Sequence, residues 1–259
     1  MSIDGFLFVS VLLLGLAIGS FLNVCIHRVP SQMSVVSPGS RCPSCGYALT
    51  WADNIPVVSY ALLGGKCRSC RAGISIRYPI VELITMGVFV LHFLVLGPQP
   101  LLVPRLLFAC AMIVLFAIDL EHHLLPNVIT LPGIVAGLLF SLVLPPGLVS
   151  SIIGILIGGG SLWLIGEAYY RYSGQEGMGG GDVKMLAMIG AFLGWKLTIV
   201  TLVLSSVLGA LVGLLVIVSR RGDLKYALPY GTFLALAGLC ASLYGDAIVA
   251  WYVGFYTVP

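Results

Sequence analysis

Apolar residues run along the chain in long, almost unbroken stretches, separated by short polar or glycine-rich interruptions. Stretches of that length predict transmembrane helices, because about 20 apolar residues cross a bilayer and barrel strands would instead alternate. Spans are expected at about residues 5–26, 79–97, 102–119, 128–144, 148–170, 183–194, 196–218 and 229–254, with boundaries good to about 2–4 residues. The sixth is short enough to be tilted, to cross only part of the bilayer, or to merge with the seventh into one broken helix. The first stretch, Gly5 to Ile26, has no basic segment before it and no clear Ala-x-Ala site after it. It therefore reads as a retained helix rather than a cleaved signal peptide.

Composition agrees with that pattern: 59% of residues are hydrophobic, 9% are charged and the mean hydropathy is +1.08. A soluble domain carries about 25% charged residues, so the chain reads as an integral membrane protein in contact with lipid. A net charge of +3 is too small to suggest a nucleic-acid partner. The positions of the charges say more. Arg28, Arg41, Lys66, Arg68, Arg71, Arg77, Arg171, Lys184, Arg220, Arg221 and Lys225 fall on one side of an eight-span arrangement, against Arg105 and Lys196 on the other. The excess of Lys and Arg marks the cytoplasmic side. Residues 27–78 are then a cytoplasmic loop, both termini face outward, and residues 79–259 form the main membrane domain behind a first helix at 1–26. Asp119 and Asp182 fall on the same cytoplasmic face.

The loop carries Cys42-Pro-Ser-Cys45 and Cys67-Arg-Ser-Cys70, with 21 residues between the pairs. Two such turns supply four thiolates for a tetrahedral Zn²⁺ site, whereas the alternative, two disulfides, is disfavoured in a reducing compartment. Four thiolates leave no open coordination position, so zinc would fold a loop too small to build its own core. The expected fold class is thus an all-α polytopic transmembrane bundle with a small cytoplasmic four-Cys zinc-binding loop. Cys25, Cys110 and Cys240 lie in apolar stretches and are expected to be small buried residues.

Asp119 closes the third span, and Asp182 opens the sixth behind Gly179, Gly180 and Gly181. An Asp at the centre of a membrane helix costs about 2.5–3.5 kcal/mol to insert, so a carboxylate near the membrane calls for a task. Two carboxylates that meet can share a proton, one acting as a base toward water and the other polarising a peptide carbonyl. The three glycines would give an extended peptide room to approach. The alternatives are a glycine-rich turn with a helix-capping Asp182, and an Asp119 that merely ends its helix. Glu121 competes as the second acid, and His122 and His123 read as wet loop residues. Lys184 either biases the dyad or reaches toward lipid phosphates. Glu82 contacts a leader or cofactor, or pairs with Arg77 at the helix end. Gly158-Gly159-Gly160 reads as a close helix contact, and no Gly-x-Gly-x-x-Gly follows a strand.

The ordered set Gly19-Ser-Phe-Leu-Asn-Val-Cys-Ile-His-Arg-Val-Pro30, the cysteine tetrad, Asn54-Ile-Pro56, Ile74-Ser-Ile-Arg-Tyr-Pro-Ile-Val-Glu82, Asp119 with Leu125-Pro126, and Gly179-Gly-Gly-Asp-Val-Lys184 resembles the bacterial type IV prepilin peptidases. These are Gly-x-Gly-Asp aspartic proteases of the bacterial cytoplasmic (inner) membrane. The resemblance implies removal of a short basic leader from type IV prepilins and type II secretion pseudopilins at the cytoplasmic face. It further implies N-methylation of the new N-terminus from S-adenosylmethionine, a catalytic pair of Asp119 and Asp182, and no metal in hydrolysis. Asn127 stands where the family often has Asp, and Gly64 where it often has Arg. Rival readings are a peptidase without methyl transfer, a scaffold whose zinc loop docks a partner, and a proton-coupled transporter. In the scaffold the aspartates would be dispensable; the transporter lacks an internal repeat in its favour.

Overall fold

The computed structural model describes residues 3–175, 179–219 and 229–257. Those residues form eight α-helices: α1 (Ile3–Arg28), α2 (Val58–Leu62), α3 (Arg77–Leu96), α4 (Leu102–His122), α5 (Asn127–Ser141), α6 (Leu148–Ser173), α7 (Gly180–Ser219) and α8 (Tyr230–Thr257). Six of them, all but α2 and α5, are long and apolar enough to cross a membrane. The basic positions Arg220, Arg221 and Lys225 lie outside the described residues.

The spans expected at 183–194 and 196–218 are the two segments of α7, which breaks at Gly194 (φ 75°, ψ 172°). Only glycine adopts that backbone without strain, and a Cβ there would also meet Pro146 Cβ at 2.7 Å. The fourth expected span is the 15-residue α5. Of the three cysteines expected to be buried in apolar stretches, Cys25 and Cys110 are partly buried and Cys240 is exposed.

The chain divides into two compact units, Met1–Leu102 and Val103–Pro259. In the first, α1 lies against α3 along a stripe of small residues at four-residue spacing. A Cβ on Gly15 would come within 2.7 Å of Met86 Cα, and one on Gly19 within 2.7 Å of Glu82 Cα. One turn further on, the buried Asn23 donates from Nδ2 to the carbonyl of Tyr78 at 3.0 Å. Lipid tails offer no hydrophobic drive between helices, so close backbone approach and such polar contacts hold the pair together.

In the second unit, α4 to α8 enclose a core that includes Phe108, Met112, Leu115, Met188, Ile189 and Leu234. Helices α6 and α7 cross where both are small. A Cβ on Gly154 would lie 2.6 Å from the Gly190 carbonyl oxygen, and one on Gly158 2.7 Å from that of Leu186. Within the 158–160 triplet, Gly158 and Gly159 make the close packing, whereas Gly160 has no neighbour within 4 Å. This contact carries the first part of α7, with Asp182 in its opening turn.

Candidate functional site

Residues 40–75 of the first unit fold as two matching turns 25 positions apart. Bridges Arg41↔Ala48 and Lys66↔Gly73 close them, and the N–H groups of Cys42 and Cys67 donate to the carbonyls of Tyr47 and Ala72 at 2.9 and 2.8 Å. Each turn therefore presents its Cys-x-x-Cys pair outward from the closed end. All four thiols are free, and their Sγ atoms lie within 4.8 Å of one another. Cys42 to Cys70 is 3.8 Å and Cys45 to Cys67 is 4.0 Å. A tetrahedron with metal–sulfur bonds of about 2.3 Å has edges of about 3.8 Å, so the quartet has the dimensions of a tetrathiolate metal site.

The electrostatics agree with the geometry. Backbone N–H groups of Cys45 and Ser44 hold the Cys42 thiol down at about 6. The Ala72 N–H favours the Cys70 thiolate, but the sulfurs of Cys45, Cys67 and Cys42 together with desolvation outweigh it, to about 11. Four sulfurs this close ionise together only around a cation.

Asp53 ties the second turn down. It accepts from Arg68 Nε at 2.6 Å and from Thr50 Oγ1 at 2.7 Å, and these bonds hold its carboxyl down at about 2. Because the folded value lies below the ordinary one, the contribution is complete above about pH 4 and is lost as pH falls toward 2. Asp53→Asn is expected to raise amide hydrogen exchange at residues 66–72 at neutral pH. Unchanged exchange there would mean that the ion pair does not hold the turn.

Asp119 lies near the C-terminal end of α4 with 5% exposure. Its Oδ2 accepts the N–H of Thr232 at 2.9 Å, and the backbone of Gly231 is a second hydrogen-bond partner. Both groups belong to the first turn of α8, where helix N–H groups have no internal partner and the helix dipole favours negative charge. Asp182 is half-buried in the first turn of α7, its N–H bonded to Gly179 O at 3.1 Å. The two aspartates lie within electrostatic reach of one another. The structure thus brings together the end of α4 and the starts of α7 and α8.

Leu125 fills the space between these elements. A Cβ on Gly181 would come within 2.9 Å of Leu125 Cβ, and one on Gly231 within 2.9 Å of Leu125 Cδ1 and 2.8 Å of Asp119 Oδ2. A Cβ on Gly179 would lie 3.2 Å from Asp182 Oδ2, while Gly180 has open space around it. Lys184 donates from Nζ to Asn127 Oδ1 at 2.9 Å, joining the starts of α7 and α5. Glu121, His122 and His123 are exposed. Glu82 sits in the first unit, buried, accepting the Val57 N–H at 2.7 Å and bonded to the Ser20 hydroxyl.

Sequence reasoning gave no role to Gly231 and Thr232. The available signal was Pro229-Tyr-Gly-Thr, a helix start after a polar loop, which does not reveal that the helix opens onto a carboxylate 113 residues upstream.

Two family models match the chain. The bacterial peptidase A24 N-terminal domain covers residues 13–96 and the type IV leader peptidase family covers residues 106–214. The chain is similar to the prepilin leader peptidase/N-methyltransferases of Aeromonas salmonicida and Pseudomonas aeruginosa, each 38% identical over 94% of this chain and 92% of the relative. The corresponding protein of Myxococcus xanthus is 40% identical over 83% of this chain and 63% of its own length. No solved structure matches the chain significantly. With both models matched in order and the Aeromonas and Pseudomonas relatives aligned over nearly their whole lengths, the chain belongs to the type IV leader peptidase family.

Proposed function

We propose that this chain is a membrane aspartic endopeptidase. It removes the basic leader of type IV prepilins and type II secretion pseudopilins, then methylates the new N-terminal amine from S-adenosylmethionine. The observation that supports the reading is that Asp119, bonded to the start of α8, lies within electrostatic reach of Asp182 in the first turn of α7.

Asp119, held by the N–H groups of α8, accepts a proton from water as the water oxygen bonds to the scissile carbonyl carbon. Asp182 carries the shared proton and donates it to the carbonyl oxygen, which becomes a hydroxyl. When the tetrahedral carbon collapses, the C–N bond breaks with its electron pair on nitrogen, the proton held by Asp119 passes to the departing amine, and one hydroxyl proton returns to Asp182 as the new carbonyl forms. Of the three glycines, Gly180 leaves open space for an extended peptide, whereas Gly179 makes room for the Asp182 carboxylate and Gly181 for Leu125. Lys184, bonded to Asn127, fixes the start of α7.

The ion for the cysteine quartet is zinc, which four thiolates in a tetrahedron favour. With Cys42, Cys45, Cys67 and Cys70 all ligating, zinc has no position left for a substrate, and its role is to fold the loop. The Lys and Arg bias supports eight crossings in the bacterial inner membrane, with residues 27–78 and the dyad on the cytoplasmic side and both termini outside. A prepilin stem resting in the bilayer would present its leader junction on that face.

Intact-mass analysis of a prepilin incubated with purified protein and S-adenosylmethionine tests the proposal. Loss of the leader followed by gain of one methyl group is expected. A prepilin left uncut contradicts the peptidase, and a cut but unmethylated product restricts the chain to hydrolysis.

A further inference from the structure

The break at Gly194 turns α7 back on itself. A Cβ on Gly158 would meet Leu186 O at 2.7 Å and Thr198 Cγ2 at 3.0 Å, so residues on both sides of the break flank one point of α6. A Cβ on Gly245 of α8 would lie 2.6 Å from Leu197 Cδ2, and one on Gly209 3.6 Å from the Phe233 ring. The second segment of α7 therefore runs antiparallel to α8. Its residues 205–209 come level with the first turn of α8, the turn that holds Asp119.

At that level three hydroxyl groups join the two helices. Tyr230 Oη lies 3.0 Å from Ser205 Oγ and 3.4 Å from Ser206 Oγ. Ser205 is fully buried, and its hydroxyl donates to the Leu202 carbonyl at 3.0 Å. A hydroxyl has one proton and two lone pairs, so Ser205 accepts the Tyr230 proton, and the Tyr230 oxygen is left to accept from Ser206. Tyr230 immediately precedes Gly231 and Thr232, whose backbone bonds to the Asp119 carboxylate. Asp182 rides on the first segment of the same α7.

We propose that Tyr230 is a positioning residue for the hydrolysis; the assignment rests on the peptidase reading above. Its hydroxyl, held by Ser205 and Ser206, fixes the first turn of α8 against α7. That contact sets where the backbone of Gly231 and Thr232 holds the Asp119 carboxylate. One helix then governs both acids, Asp182 directly and Asp119 through Tyr230. Lipid tails give two membrane helices no hydrophobic drive to keep their register. Phe233 meets Gly209 only at an ordinary contact distance, so the hydroxyl bonds carry the alignment that this packing leaves loose.

Steady-state kinetics of prepilin cleavage by the full-length protein test the assignment. Wild type is compared with Tyr230→Phe, with Ser205→Ala/Ser206→Ala and with all three changes together. Tyr230→Phe keeps the ring and removes the hydroxyl, whereas the serine pair removes both of its partners. A reacting group misplaced by about 1 Å costs on the order of 10²-fold; the smaller shift that a lost hydroxyl contact permits should cost about tenfold in kcat, with KM and melting temperature unchanged. The triple variant should be no slower than Tyr230→Phe, because all the changes remove one shared contact. Tyr252→Phe, which removes a hydroxyl bonded to Tyr256 at 3.4 Å on the exposed far end of α8, should cut at the wild-type rate. If Tyr230→Phe melts lower, the serine pair decides. A folded variant that cuts at the wild-type kcat, a loss confined to KM, losses that multiply in the triple variant, or an equal loss in Tyr252→Phe each overturns the role of Tyr230 while the peptidase stands. A wild type that leaves prepilin uncut removes the peptidase reading itself.

Discussion

Asp119→Asn and Asp182→Asn each reduce leader removal by a factor on the order of 10²–10⁴, with no matching change in zinc content or melting. The two carboxylates act as one unit, so the double variant should be little worse than either single. An amide at residue 119 still meets the N–H groups of Gly231 and Thr232 in size but no longer takes a proton from water. An amide at 182 still fits the first turn of α7 but has no acidic proton to give. Each loss removes a chemical step and leaves the packing in place. Initial rates of leader loss, followed by mass spectrometry, check this. Residual activity within a few-fold of wild type in either variant would take that aspartate out of the chemistry.

Gly231→Ala is the second large effect, and it needs no change of charge. The added Cβ would stand 2.8 Å from Asp119 Oδ2 and 2.9 Å from Leu125 Cδ1. Neither atom is the end of a freely moving chain: Asp119 is fixed by α8 and Leu125 is buried. The start of α8 must therefore back away from the carboxylate. Misplacing a reacting group by about 1 Å costs on the order of 10²-fold in rate, and that loss is expected in kcat with KM little altered. Gly209→Ala serves as the comparison, since its Cβ would meet Phe233 at an ordinary 3.6 Å. If Gly231→Ala cleaves at the wild-type rate, α8 does not position Asp119.

The fold was largely legible because membrane helices announce themselves by composition. Length and hydropathy placed all six long helices, and one broken helix over the sixth and seventh stretches was among the open readings, though only the structure puts the break at Gly194. The cysteine tetrad was legible because two Cys-x-x-Cys turns specify their own local geometry, and the sulfurs do converge. Asp119 and Asp182 stood out as charges at the edges of apolar runs.

Partner residues were not legible. Gly231 contributes by lacking a side chain, and Thr232 by a backbone N–H that every residue except proline possesses, so neither carries a chemical signature in sequence. Leu125 belongs to the motif that carries the family resemblance, but nothing in the sequence shows that it separates the starts of α7 and α8. Glu82 read either as a leader or cofactor contact or as a helix-end partner of Arg77, and only the folded loop shows it bonded to the strained turn at Val57. Function here depends on contacts across long sequence separations, which local pattern does not encode.

The central claim is that Asp119 and Asp182 cut the prepilin by a chemistry separate from methyl transfer. The most direct measurement gives the Asp119→Asn/Asp182→Asn double variant two substrates in one tube, with S-adenosylmethionine present: intact prepilin, and a pilin peptide already bearing its free N-terminal amine. Mass spectrometry should show the prepilin uncut and the peptide methylated at the wild-type rate. Leader loss catalysed by the double variant would contradict the account.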